Sequence, residues 1–330
     1  MAEKYDVLGI GNAIVDVLSR TDDAFLESQK LTKSSMQLID AAQAEALYAA
    51  MGPGIEISGG SAANTIAGLA SFGAATSFIG VVQSDQLGKV FRHDITALGV
   101  EYDTAARIDG DPTARCLILV TPDGERTMNT FLGASQTLGP DDVDETQIAR
   151  AGIVYLEGYL FDPPPAKEAF YKAARLAHKH GGRVALTLSD SFCVDRHREE
   201  FRVLVSDEVD ILFANEDEIM SLYEVSSFDE ACAKVRKDCP LAILTRSANG
   251  AVVISGEDTS EVPAKKVDAV IDTTGAGDLF AAGFLYGLAG ERALEDCARL
   301  GAMAAAEVIS HMGARPEVSL TDLAAKDGLI

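Results

Sequence analysis

Tryptophan is missing from this 330-residue chain, and aromatic residues of all kinds make up only 6% of it. A sugar-binding platform of indole rings is excluded. Cysteine is sparse: Cys116, Cys193, Cys232, Cys239 and Cys297 are an odd number, widely spread, with no CxxC pair. That excludes a disulfide scaffold and a cysteine-rich zinc site, and it points to a reducing, cytoplasmic compartment. The five histidines are scattered and no HExxH occurs, so no metal centre is expected from them. Basic residues are outnumbered, 28 against 51 acidic, for a formal charge of −23. Such a surface does not suit nucleic acid or an anionic membrane, although one local pocket can still hold a small anion. Residues 57–84 carry no charge, yet Gly59, Gly60, Ser61, Asn64, Gly68, Gly73, Ser77 and Gly80 punctuate them. They read as a loop, a small-residue helix and a buried strand, not as a membrane span. The opening Met1–Asp6 lacks the architecture of a signal peptide.

What is present is a globular composition, 47% hydrophobic and 24% charged. No repeat, low-complexity tract or linker divides the chain, so residues 1–330 are expected to form one domain. Short apolar runs at Asp6–Gly11, Thr76–Val82, Gly152–Leu156, Arg183–Leu188, Val209–Ala214 and Leu241–Thr245 have the look of buried parallel strands. Between or after them lie helical stretches at Ala62–Phe72, Asp85–Leu98, Ala166–His180, Asp229–Lys237, Gly277–Leu288 and Ala293–Ile309. The alternation predicts an α/β fold: a mostly parallel sheet with helices on both faces. One region breaks it. Thr113–Val120 and Arg126–Phe131 flank Thr121-Pro122-Asp123-Gly124-Glu125, and Asp-Gly between β-prone runs predicts a hairpin. We expect a small β lid, contributed by about 12–40 and 105–132.

Several catalytic motifs fail. Gly9-x-Gly11 starts like a dinucleotide fingerprint, but Ile14 stands at its last position and Ala13–Val17 reads as strand. No GxxxxGK[ST] and no GxSxG is present. The informative segment is Asp272-Thr273-Thr274-Gly275-Ala276-Gly277-Asp278, followed by an apolar helix. An ordinary cap needs one Asp or Thr, whereas Gly-Ala-Gly costs conformational entropy. Backbone N–H groups of Gly275, Ala276 and Gly277 at a helix N-terminus would make an anion hole, with Asp278 in the first turn beside it.

This segment, with Phe280 and Gly283 after it, resembles the C-terminal signature of the ribokinase-like (PfkB-type) carbohydrate and nucleoside kinases. Gly59-Gly60-Ser61-Ala62-Ala63-Asn64 resembles that family's glycine-rich motif, and Asn215-Glu216-Asp217-Glu218 its NxxE motif; the three come in the family's order. The resemblance implies ATP-dependent phosphorylation of a primary alcohol, with Asp278 as base and the anion hole stabilising the charge that develops. It also implies Mg2+ held through water by Asn215 and Glu218. Some members of the family carry a K+ site near the loop of Asp272 and Thr274. Arg126, after the hairpin turn, would reach the phosphates from the lid. Thr245, Arg246 and Gly250 would contact the nucleotide; many members carry lysine and glycine in this loop.

The acceptor follows from the other end of the chain. Gly11-Asn12-Ala13-Ile14-Val15-Asp16 resembles the opening of adenosine kinases, where the aspartate takes two ribose hydroxyls. Asp16 is expected to close the opening strand, where a parallel sheet puts its ligand crevice. Asn12, Gly60 and Asn64 would approach the same ribose, and Phe161 would stack on the base, with Met36 and Phe131 as further candidates from the lid. Ribokinases usually carry lysine where this chain has Ser61. The expected acceptor is therefore adenosine, as in purine salvage. The alternatives are a fructokinase or ribokinase acting on a free sugar, and a catalytically silent nucleoside- or sugar-binding regulator. The expected partners are the acceptor and ATP, in a monomer or a homodimer.

Overall fold

The computed structural model describes residues 4–330, so Met1–Glu3 of the segment inspected for a leader lie outside the described residues. Thirteen strands follow in chain order. They are β1 (Tyr5–Ile10), β2 (Ile14–Arg20), β3 (Met36–Leu38), β4 (Gly54–Gly59), β5 (Thr76–Ile79), β6 (Ala114–Val120) and β7 (Arg126–Phe131). Next come β8 (Ala151–Glu157), β9 (Arg183–Thr187), β10 (Ile211–Asn215), β11 (Leu241–Thr245), β12 (Ala251–Ser255) and β13 (Asp258–Val262). They make two sheets.

The larger sheet runs β13-β12-β11-β10-β9-β8-β1-β5, parallel from β5 to β11 and antiparallel at its β12–β13 edge. Adjacent residues of one strand serve opposite faces, as the pleat requires. Val7, Ile153, Ala185, Ile211 and Ile243 enter one core with the helices Ser61–Ser71, Ala276–Ala289 and Leu294–Val308. Leu8, Val154, Val184, Leu212 and Ala242 enter the other, with Pro164–Lys179 and Ser191–Asp207. Both faces are buried, which is why these strands read as unbroken apolar runs. The α/β expectation is met, including its predicted helices. Ser191–Asp207 is an addition, bent at His197, and its mixed polar sequence hid it.

The smaller sheet runs β3-β7-β6-β2-β4. The predicted hairpin forms as β6 and β7, with Gly124 in its turn at φ +86°. Asp16 does not end the opening strand. It is the third residue of β2, in the smaller sheet, because the chain turns at Gly11–Ala13 and changes sheets. Edge strand β4 also went unforeseen, its short Ile55-Glu56-Ile57 alternation being too brief to stand out. Val15, Val17, Leu117 and Leu119 bury one face of this sheet against Leu26 and Leu47 of two short helices. The other face carries Asp16, Cys116 and Thr130 in one cross-strand row, with Ile55, Ile57, Met36 and Leu38 exposed around it.

Polar joints hold the smaller sheet where the chain enters β2 and β6. Buried Asn12 donates from Nδ2 to Glu157 Oε1 at 2.7 Å, just before β2. Asp85 caps the helix Gln86–Ala97 through Gly88 N at 2.8 Å and accepts from Thr113 N at 2.8 Å and Thr113 Oγ1 at 2.6 Å, just before β6.

Candidate active site

A cleft of about 1330 Å3 lies beneath the smaller sheet, along the C-terminal ends of the parallel strands. A crevice at those ends is where an open α/β sheet binds ligand. Asn12, Asp16, Gly60, Asn64, Asn215, Glu218, Thr245, Gly250, Gly275, Ala276, Gly277 and Asp278 all line it. The structure thus brings together most residues singled out by sequence, from segments more than two hundred positions apart.

Asp278 lies in the first turn of Ala276–Ala289. Its Oδ1 accepts from Ser61 Oγ at 2.6 Å and its Oδ2 from Asn64 Nδ2 at 3.1 Å. Burial pushes its carboxyl up to about 6, against the pull of these bonds and of Arg315. Gly275 precedes the helix at φ +79°, and a Cβ there would come within 2.9 Å of Ala314, so glycine is required. A Cβ on Gly277 would meet nothing within 4 Å, which leaves its backbone open to the cleft. The anion-hole expectation needs one correction. Ala276 N donates to Thr273 O at 3.2 Å, closing a turn, so this N–H is already used. The N–H groups of Gly277 and Asp278 carry no backbone partner and remain available at the helix N-terminus.

Asp272 organises the loop before this helix. Its Oδ1 accepts from Thr274 N and Oγ1 at 3.0 and 2.8 Å, and its Oδ2 from Gly313 N at 2.8 Å. Arg126 completes the set. From β7 it places Nη2 2.7 Å from Asp272 Oδ2 and donates from Nη1 to Thr274 Oγ1 at 3.0 Å, with both side chains nearly dry. Arg126 thus belongs to the smaller sheet, and its partners are on the loop before the helix Ala276–Ala289.

Beside Asp278 the cleft is lined by further hydrogen-bonding groups. Burial raises Asp16 to about 6, while Arg315 and Arg126 pull it down and Asp278 pushes it up. Gly60 stands at φ +100°, and a Cβ there would lie 2.2 Å from Asn12 O, so only glycine lets the two segments meet. Asn12 Oδ1 and Asn64 Oδ1 are buried without a hydrogen-bond partner. Two orphaned acceptors at one site call for donors from a ligand. Beyond them the wall turns apolar, with Ile14, Met36, Leu38, Met128 and Leu132.

Arg126, held by Asp272, does not line the cleft, and neither do Phe161 and Arg246. Phe161 is fully buried, stacked on Phe201 at 4.4 Å between ring centroids and packed on Phe170 at 6.0 Å. The short 3-10 turn after β8 directs it into the core, so it stacks on protein rings and on no ligand. Arg246 turns outward, over the Phe228 ring at 4.3 Å and paired with Glu216 at 3.3 Å. Lys265 and Lys266 line the cleft instead, on the segment after β13. Met36 lines the cleft; Phe131 does not.

Asn215 and Glu218 form a reciprocal capping box. Asn215 Nδ2 donates to Glu218 Oε1 at 2.6 Å, Asn215 N to Glu218 Oε2 at 2.9 Å, and Glu218 N to Asn215 Oδ1 at 2.9 Å. Each Glu218 oxygen accepts one bond and keeps acceptor capacity, which fits contact with the water shell of a cation better than direct ligation. Burial lifts Glu218 to about 7. No group of three or more acidic, His or Cys side chains suited to a metal occurs among the described residues.

Sequence reasoning missed three participants. Ser61 stands where ribokinases usually carry lysine, and its hydroxyl holds Asp278. Glu157, at the end of β8, accepts from Asn12 and, at 2.8 Å, from Ala62 N; burial raises it to about 7. An acid closing an apolar parallel strand is a legible signal that went unread. Arg315 lies in a loop with no local signature.

The profile of the pfkB family carbohydrate kinases matches residues 55–320. The adenosine kinase of Sinorhizobium meliloti is 52% identical, with a TM-score of 0.91 over 98% of this chain and 99% of that one. A protein of Rhizobium etli CFN 42, described as a probable sugar kinase, is also 52% identical, with a TM-score of 0.93 over 99% and 100% of the two chains. The ATP-dependent ribose-1-phosphate kinase of Halopiger xanaduensis is 33% identical, matching over 75% of this chain and 80% of that one.

Proposed function

The chain belongs to the PfkB family of carbohydrate kinases and is a phosphotransferase with an alcohol acceptor, and from that premise we propose that it moves the γ-phosphoryl group of ATP to the 5′-hydroxyl of adenosine. The observation that carries this reading is the pairing of unsatisfied hydroxyl-binding groups with an apolar wall. Asp16 takes the 2′- and 3′-hydroxyls, and the orphaned oxygens of Asn12 and Asn64 accept from the same edge of the ribose. Gly60 lets the ring lie against the backbone. The purine rests on Met36, Leu38, Met128 and Leu132, a surface that a free hexose would leave empty.

The 5′-oxygen then faces Asp278. As that oxygen bonds to the γ-phosphorus, its proton passes to the Asp278 carboxylate and the bond from phosphorus to the ADP oxygen breaks. The free N–H groups of Gly277 and Asp278 take the charge on the transferring group. Mg2+, when bound, neutralises phosphate charge, and Asn215 with Glu218 are the residues that would hold its water shell. Thr245, Gly250 and Lys266 contact the nucleotide. The smaller sheet excludes water from the transfer.

A coupled ADP-release assay with adenosine, 2′-deoxyadenosine, inosine, ribose and fructose tests the reading. Adenosine is expected to give the highest kcat/KM. If a free sugar exceeds it, the nucleoside assignment is wrong while the kinase chemistry stands.

A further inference from the structure

Arg315 has no part in the chemistry described so far, yet two of its three guanidinium nitrogens are buried without a partner. It lies between the helices Leu294–Val308 and Leu320–Lys326, on a loop that backs the anion hole. Gly313 N holds Asp272, and Ala314 packs against Gly275. From there Arg315 reaches the smaller sheet, where Nη2 donates to Ser58 O at 2.9 Å and to Ser58 Oγ at 3.3 Å, at the end of β4. The next residue, Gly59, is pressed against Asp16: a Cβ there would stand 2.4 Å from its Oδ2. Arg315 Nε and Nη1 are buried and make no hydrogen bond. No carboxylate pairs with it at contact distance among the described residues, although Asp16, Asp278 and Asp94 all act on its charge.

A buried, incompletely bonded guanidinium is costly unless its charge serves nearby anions. We propose that Arg315 is a positioning residue for phosphoryl transfer, the shared counter-charge of Asp16 and Asp278, held in register with the smaller sheet through Ser58. This rests on the assignment of Asp278 as base. Burial moves the guanidinium down to about 10, still cationic at neutral pH. Both carboxyls are raised toward 6 by burial, and Arg315 opposes that rise in each. The other charges facing this cluster are Arg126 on Asp16 and Asp94 on Arg315; the acids Glu157 and Glu218 feel Asp278 as well. Arg315 is thus the basic group that Asp16 and Asp278 have in common.

The experiment is the pH dependence of kcat/KM for Arg315→Met, Arg315→Lys and Arg315→Gln, using whichever acceptor of the panel is turned over. Loss of the charge should move the acidic limb of the profile upward by about one pH unit. Arg315→Lys keeps a cation and should stay near the wild-type limb, although its kcat falls because the fork to Ser58 is lost. Arg315→Gln keeps a donor for Ser58 without the charge, so it carries the same comparison if Arg315→Met does not fold. A neutral variant whose acidic limb coincides with wild type overturns the inference, as does a lysine variant shifted as far as the neutral ones. Failure of the kinase reading looks different: no alcohol of the panel then releases ADP even with the unaltered chain.

Discussion

The two sheets answer to different demands. In the larger one, both faces are sealed by helices, and the residues at its C-terminal edge are held by reciprocal bonds such as the Asn215–Glu218 box. In the smaller one, only one face is sealed. The other presents Met36, Leu38, Ile55 and Ile57 to solvent around Asp16. An apolar face kept bare beside a carboxylate costs stability and suits a surface meant to meet ligand. Under the proposed function, the larger sheet fixes the reacting groups and the smaller one supplies recognition and cover.

That division can be broken most directly at Asp278. Asp278→Asn keeps the bonding geometry and removes proton acceptance, so kcat should fall roughly 10²–10⁴-fold. The wild-type kcat/KM should decline with an acidic limb near pH 6, because the carboxyl is raised by burial and must be ionised to act. A variant retaining more than about a tenth of wild-type kcat would remove Asp278 from the role of base.

Recognition should fail next. Asp16→Ala should cost adenosine most of its kcat/KM. For the unaltered chain, 2′-deoxyadenosine should lose about 10²-fold or more, since Asp16 is then left with an unpaired oxygen. Comparable rates with the two nucleosides would sink the ribose assignment.

Arg126→Ala tests the seam between the sheets. It should reduce kcat/KM by about tenfold and speed amide exchange at Thr121–Arg126, where the wild type is held by Asp272. Unchanged exchange would show that the pair does not hold the sheet in place.

Phe161 sharpens the contrast by doing nothing to chemistry. Phe161→Ala should destabilise the fold by about 3–5 kcal/mol, as an emptied core site does. Below the melting transition, kcat/KM for adenosine should stay within about twofold of wild type. A selective rise in KM would return this ring to the ligand.

The legibility of the chain follows the same division. The larger sheet was readable because burial on both faces imposes apolar runs, and helices packed on it impose their own period. The segment Asp272–Asp278 is readable because Gly275 needs positive φ and stands against Ala314, so the demand on the backbone is local in sequence. The position of Asp16 was misjudged because nothing in Gly11–Ala13 tells that the chain changes sheets. Phe161 was misdirected because a lone aromatic next to a motif looks the same whether it faces a ligand or a core. Arg246 was displaced by Glu216, a partner thirty residues away in sequence. Arg315 and Glu157 make contacts that only folding creates, with Ser58 and with Asn12 and Ala62.

The joints of the smaller sheet and its ion pair lie at opposite ends, and together they behave as axle and latch. Asn12 and Thr113 are pinned where the chain enters the sheet, whereas Arg126 is fastened at the far end of the hairpin. Any swing about the pinned end displaces a point in proportion to its distance from the axle. Asp16, four residues from Asn12, sweeps a short arc, while Arg126 sweeps a long one. Under the proposed function, a swing of this arm would part the two sheets most at Arg126 and least at Asp16.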